Sequence, residues 1–149
     1  MKKLMLILLL LTLVSCKKEF KQLQRSEIIY NFIELNNDLD YKLMYFCDKY
    51  DAFEHFYDIK YTIFNEIGKH NYYKSSQERM SIVSFVKDTG TCQFQHKTFY
   101  YLANKYNLNN ANILNENHQI AVMVQAFKDG KQNWWCGYKK YKKYENIRL

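Results

Sequence analysis

Glu66 is the residue whose surroundings best suit proton transfer. Ile63, Phe64 and Ile67 lie around it at the end of an apolar helical pattern. A carboxyl so placed keeps its proton near neutral pH, because burial disfavours the charged form, and a protonated carboxyl can act as a general acid. Asp88 is the one nearby candidate for a second carboxylate, although its place before a glycine reads first as a turn former. Glu78 is the fallback acid. Downstream, Gly90-Thr91-Cys92-Gln93-Phe94, with Thr98-Phe99, opens a segment in which Phe99, Leu102, Ala103 and Tyr106 recur at helical spacing. Metal chemistry finds no spacing here: His55, His70, His96 and His118 are scattered, and there is neither Cys-x-x-Cys nor His-x-x-x-His.

The elements that must hold these groups read as helices. With no proline and only four glycines, the chain has little punctuation. Phe20, Leu23, Ile28, Ile29, Phe32 and Ile33 mark a first helix, and Leu39, Leu43, Met44, Phe46, Cys47 and Tyr50 a second. A third runs through Phe53, Phe56, Tyr57, Lys60, Phe64 and Ile67 and stops at Gly68, the expected cap residue. Residues 69–77 read as a loop. Ser81 to Val86 is rich in β-branched and aromatic residues before the turn Asp88-Thr89-Gly90, so one small hairpin is expected there. A helix from Phe94 to Tyr106, an asparagine-rich turn, a helix from about Asn115 to Phe127 ending at Gly130, and a terminal helix through Tyr141 complete the pattern.

The stretch Gly90-x-x-Gln93-Phe94 with Thr98-Phe99, preceded by a glutamate closing a helix, resembles the lysozyme-like superfamily. Within it the similarity is to the lytic transglycosylases and goose-type lysozymes that cut peptidoglycan strands. Asn117-His118-Gln119-Ile120, Gly130 and Trp134-Trp135 stand where those proteins have comparable residues, and the likeness covers roughly 44–138. It implies a mainly α, α+β lysozyme-like fold: a helical bundle around a substrate cleft. By the same resemblance Glu66 is the catalytic acid/base, and Gly90, Gln93 and Phe94 line the groove, with Tyr101, Trp134 and Tyr138 as aromatic walls. No cofactor is implied, and the partner is the peptidoglycan glycan strand. The chain departs from the pattern at Ile67, where the family usually has Ser, and it lacks the Ala-Tyr-Asn-Gly signature. A single-glutamate mechanism ending in an anhydro-sugar is favoured, with hydrolysis assisted by Asp88 left open.

The N-terminus adds a location. Met1-Lys2-Lys3 precedes an apolar run from Leu4 to Val14, too short to span a bilayer comfortably, and Leu13-Val14-Ser15-Cys16 fits a bacterial lipobox. Residues 1–15 are therefore expected to be a lipoprotein signal peptide, 16–21 a lipidated tether and 22–149 the lysozyme-like domain. Acyl chains on Cys16 would hold the protein on a membrane. Lys17 lacks the aspartate that retains many such proteins at the inner membrane, which favours the outer one. The formal charge of +7 drops to +5 when Lys2 and Lys3 leave with the signal, which suits an anionic partner, and export excludes nucleic acid. The late run Lys139-Lys140 and Lys142-Lys143 among Tyr138, Tyr141 and Tyr144 reads as a solvated helix face before it reads as a binding patch. Three cysteines remain beyond Cys16; Cys92 with Cys136 is the pairing considered, against free buried thiols.

Two other classes fit the same residues. One is a lysozyme-like domain without catalysis, serving as a cell-wall-binding or envelope interaction lipoprotein. The other is an unrelated helical lipoprotein acting as a scaffold.

Overall fold

The computed structural model describes residues 38–145. The expected signal peptide, Cys16, the expected tether and the expected first helix lie outside the described residues. Residues Asn36–Leu149 make a compact unit with its own core.

Seven helices are described: α1 (Asp38–Lys49), α2 (Phe56–Ile67), α3 (Lys69–Tyr72), α4 (Ser76–Met80), α5 (His96–Lys105), α6 (Glu116–Lys128) and α7 (Cys136–Glu145). Single 3₁₀ turns, Phe53–His55 and Gln132–Trp134, precede α2 and α7. α6 is the central element. Glu116, Gln119, Ile120, Ala121, Val122, Met123, Val124, Ala126 and Phe127 are all buried along it, so it is covered on most sides as an interior helix must be. α1 and α5 pack on α6, and α7 packs along α2. Asn115 caps α6, its side chain accepting the His118 N–H at 3.2 Å. α2 ends at Gly68, whose φ of 83° turns the chain out of the helix while its N–H still bonds to the Phe64 carbonyl.

Two expectations about local structure need correction. Residues 69–77 are not an irregular loop, for they contain α3 and the start of α4. The start of α4 is a capping box: Ser75 Oγ accepts the Glu78 N–H, and Glu78 Oε2 accepts the Ser75 N–H at 3.0 Å. The expected hairpin is only two isolated antiparallel bridges, Val83 to Thr89 and Thr89 to Phe94. Gly90 (φ 76°) and Gln93 (φ 49°) bend the chain between the bridges, so no ladder extends. The helical class of the fold stands.

A buried ionic network joins α1, α4, α6 and the Thr91 turn. Arg79 is fully buried. Its Nε donates to Glu116 Oε1 at 2.7 Å and its Nη2 to Glu116 Oε2 at 3.0 Å, while Asp38 receives Nη1 and Nη2 at 3.2 and 3.0 Å. Arg79 Nη1 also reaches the Lys74 carbonyl. Lys42 donates to Glu116 Oε2, and Thr91 Oγ1 to Glu116 Oε1, both at 2.6 Å. Burial alone would raise the Glu116 carboxyl, but the hydrogen bonds from Arg79, Lys42 and Thr91 outweigh it and hold the group down at about 2. A second buried carboxylate, Asp40, accepts Tyr72 Oη at 2.5 Å and Lys60 Nζ at 2.9 Å, tying α1 to α2 and α3.

Candidate active site

The Gly90 turn is held by side-chain amides. Gln119, buried on α6, accepts the Cys92 N–H at 2.9 Å and donates from Nε2 to the carbonyls of Thr89 (3.0 Å) and Ile113 (2.7 Å). Gly90 lies so close to it that a Cβ there would sit 2.5 Å from Gln119 Nε2. Only glycine meets both that approach and the positive φ. On the other side of the turn, Trp135 Nε1 donates to the Cys92 carbonyl at 2.9 Å. Phe94 packs edge-on against Phe99 and Trp135, with centroids 5.5 and 5.3 Å apart.

This bracing opens a cleft of about 410 Å³ lined by Glu66, Asp88, Gln93, Phe94, Gln95, Thr98, Asn133, Trp134, Trp135, Cys136 and Lys139. Glu66 reaches it from the last turn of α2 and Gln93 from the turn, although the chain separates them widely. Gln93 is nearly buried, and its Nε2 donates to the Gly90 carbonyl at 2.6 Å and more weakly to that of Ile82 at 3.4 Å.

Glu66 meets the N-terminus of α7. Its Oε1 accepts the Gly137 N–H at 2.6 Å. The approach depends on glycine, because a Cβ at 137 would lie 2.6 Å from the Thr62 carbonyl oxygen and 3.0 Å from Glu66 Cγ. Burial, the largest influence, pushes the Glu66 carboxyl above the usual carboxylate range. The Gly137 N–H pulls it back, the negative charge of Asp88 pushes it up again, and the Cys136 N–H pulls it back, with a net upward shift. Asp88 Oδ1 is buried and, among the described residues, finds no hydrogen-bond partner.

No protein family, curated protein or solved structure matches this chain. The residues of the cleft therefore have to speak through their chemistry alone.

Of the side chains singled out from the sequence, Glu66, Gln93, Phe94 and Trp134 line the cleft. Tyr101 stands beside it, stacked on Trp134 at 6.5 Å and 25°, both rings more than half exposed. Gly90 faces Gln119 behind the turn. Tyr138 packs edge-on against Phe127 at 5.6 Å and is not among the lining residues. Glu78 is exposed and taken up by its capping box, where the Ser75 side-chain and backbone hydrogen bonds lower its carboxyl. Cys92 and Cys136 are both free, the first buried and the second exposed, so the pairing between them does not form. Sequence reasoning missed the positioning parts: Arg79 and Glu116 carry no periodic or motif signal, and Lys139 was counted only within a basic run.

As chemistry, the cleft offers one carboxyl raised above the usual carboxylate range, a second carboxylate with an unpartnered oxygen, the side-chain amides of Gln93, Gln95 and Asn133, the exposed face of Trp134 and one ammonium. That set suits proton transfer to a neutral, hydroxyl-rich ligand. Among the described residues no group of side chains is arranged to hold a metal ion.

Proposed function

We propose that this protein is a lytic transglycosylase-like lipoprotein that cleaves peptidoglycan at the β-1,4 bond between N-acetylmuramic acid and N-acetylglucosamine, with Glu66 as general acid and base. The observation that carries the reading is that Glu66 and Gln93, 27 positions apart, share one cleft with Phe94 and Trp134. In this mechanism the protonated Glu66 gives its proton to the leaving glycosidic oxygen as the C1–O bond breaks. The resulting carboxylate takes the proton of the muramyl C6 hydroxyl as that oxygen closes on C1, leaving an anhydro end. The upward push of burial on Glu66 supports the first step. Trp134, half exposed, supplies an apolar face for a sugar ring with the buried Phe94 supporting the wall behind it, Gln93 an amide for hydroxyl or N-acetyl groups, and lipid on Cys16 the place of action in the cell envelope.

A second reading, a cell-wall-binding domain without catalysis, is favoured by one specific feature. Glu66 also caps α7 through the Gly137 N–H, and Gln93 spends its Nε2 on its own turn, so both side chains have structural work. The test is to incubate the chain from Lys17 onward with purified peptidoglycan beside Glu66→Gln. General acid catalysis is worth about 10² to 10⁴ in rate, so the variant should bind and release almost nothing. Anhydro ends on the wild-type products mean transglycosylation; reducing ends mean attack by water and a part for Asp88. A wild-type chain that binds the wall and releases nothing, or a fully active Glu66→Gln, puts the binding reading first.

A further inference from the structure

The loop bordering the cleft carries an unusual tip. Val83, Phe85 and Val86 are 60, 103 and 62 % exposed. Phe85 and Val86 occupy the two corners of a tight turn closed by the Lys87 N–H to the Ser84 carbonyl at 2.9 Å. Below the corners the loop is pinned: Ser84 N–H bonds to the Asp88 carbonyl at 2.9 Å, Asp88 N–H to Ser84 Oγ at 2.9 Å, and Gly90 N–H to the Ile82 carbonyl at 2.8 Å. Lys87 holds φ at 65°, a conformation that costs a side-chain-bearing residue something. A braced turn thus holds a phenylalanine wholly in solvent, where a folded chain gains nothing from it.

The charge at the tip has one sign. Lys87 is exposed beside the apolar pair, whereas Asp88 turns its Oδ1 inward to a buried position. The shape is convex and small. Stable protein–protein interfaces bury about 1,200–2,000 Å² over matched surfaces, which three side chains on one turn cannot supply. A fluid lipid surface asks for no matched shape, only apolar side chains to enter it and cations at the level of the anionic headgroups. The expected lipid on Cys16 sets such a surface within reach, since the 22 positions from Cys16 to Asp38 span at most roughly 75 Å.

We propose that Val83, Phe85, Val86 and Lys87 form an interfacial anchor that dips into an anionic bilayer surface, a second membrane contact besides the acyl chains. With the tip inserted, the cleft beginning at Asp88 lies next to the membrane. The inference concerns binding alone and does not depend on Glu66 being catalytic.

The test uses the chain from Lys17 onward, which contains the compact unit and lacks the lipid. It is sedimented with vesicles of phosphatidylcholine containing half phosphatidylglycerol, and with vesicles of phosphatidylcholine alone. The wild type should partition onto the anionic vesicles, and Phe85→Ser/Val86→Ser should bind at least tenfold more weakly with an unchanged melting temperature. Lys87→Gln should weaken binding less and flatten its salt dependence. The proposal is overturned if the wild type ignores anionic vesicles or if the double variant binds them equally well. It is equally overturned if the double variant loses self-association or peptidoglycan binding instead, or if it melts early, since the tip would then serve another occupant or the core.

Discussion

Replacing Gly137 by alanine tests whether the contact between α7 and α2 sets the position of Glu66. The added methyl would lie 2.6 Å from the Thr62 carbonyl oxygen, 3.0 Å from Glu66 Cγ and 3.1 Å from Glu66 Oε1, where ordinary contact begins near 3.4 Å. A carbonyl inside a helix cannot swing aside, so α7 must move off α2 or the Glu66 side chain must leave the α7 terminus. Overpacking of this kind costs roughly 1–3 kcal/mol. The better helix propensity of alanine returns at most about 1 kcal/mol. A net loss on the order of 1–2 kcal/mol lowers the melting temperature by about 4–8 °C in a domain of this size. The same displacement weakens the 2.6 Å bond from the Gly137 N–H, one of the groups that lower the Glu66 carboxyl. Glu66 should therefore titrate at higher pH in the variant, as followed by carboxyl chemical shift. A Gly137→Ala protein that melts at or above the wild-type temperature, with Glu66 titrating unchanged, would refute this account of the helix contact.

Other perturbations read other parts of the molecule. Glu116, held at about 2 in the fold against an ordinary value of 4.5, contributes stability that is present above the unfolded value and lost as pH falls through the folded one. Acid denaturation should show a loss on the order of 3 kcal/mol between about pH 4.5 and 2, and a flat profile across that window would contradict the network. Glu66 runs the other way: its raised folded value means that stability relative to Glu66→Gln is complete at low pH and falls as pH rises through that value. Paired urea titrations at several pH values should show this divergence, and parallel curves would refute it. Gln119→Glu replaces a donor to two carbonyls with a carboxylate facing them, so it should cost about 1–3 kcal/mol. The Cys92 N–H keeps an oxygen acceptor in this variant, so amide exchange should rise first at Gly90 and Phe94, whose N–H groups bond across the turn; protection there equal to the wild type would show that the turn does not lean on Gln119.

The helices were legible where burial follows a 3.6-residue period. α1, α2, α5 and α6 each place an apolar stripe against the core, and Gly68 and Asn115 mark ends through backbone chemistry visible in their residue types. α3 and α4 were missed because one or two turns are too short to show a period, although Ser75 and Glu78 spelled out a capping box. The Ser81–Val86 stretch suggested a strand through its β-branched residues, but propensity for a pleated surface forms no sheet when the apolar side chains end in solvent. Within the cleft, Glu66 could be singled out from its own neighbours. The partners that shape it could not, because Gly137, Cys136 and Asp88 come from segments 22 to 71 positions away whose meeting is a tertiary event. Arg79 is the clearest case: an arginine between Glu78 and Met80 reads as a surface residue, and only the convergence of Asp38 and Glu116 lets it be buried.

Trp134 and Trp135 are adjacent in the chain and opposite in environment. Trp134 is half exposed on the cleft, with the Lys131 ammonium 5.2 Å from its ring, while Trp135 is 5 % exposed and ringed by Phe94 and Phe127. These two indoles are the only ones in the chain, so its intrinsic fluorescence divides into two channels. A soluble quencher such as iodide should reach Trp134 and spare Trp135, and a ligand seated in the cleft, which both residues line, should shield the exposed Trp134 while changing the buried Trp135 far less. Unfolding should do the reverse, shifting the emission of Trp135 to the red as its Nε1 exchanges the Cys92 carbonyl for water. With Trp134→Phe to separate the channels, cleft occupancy and global stability can be followed in one cuvette without any attached label.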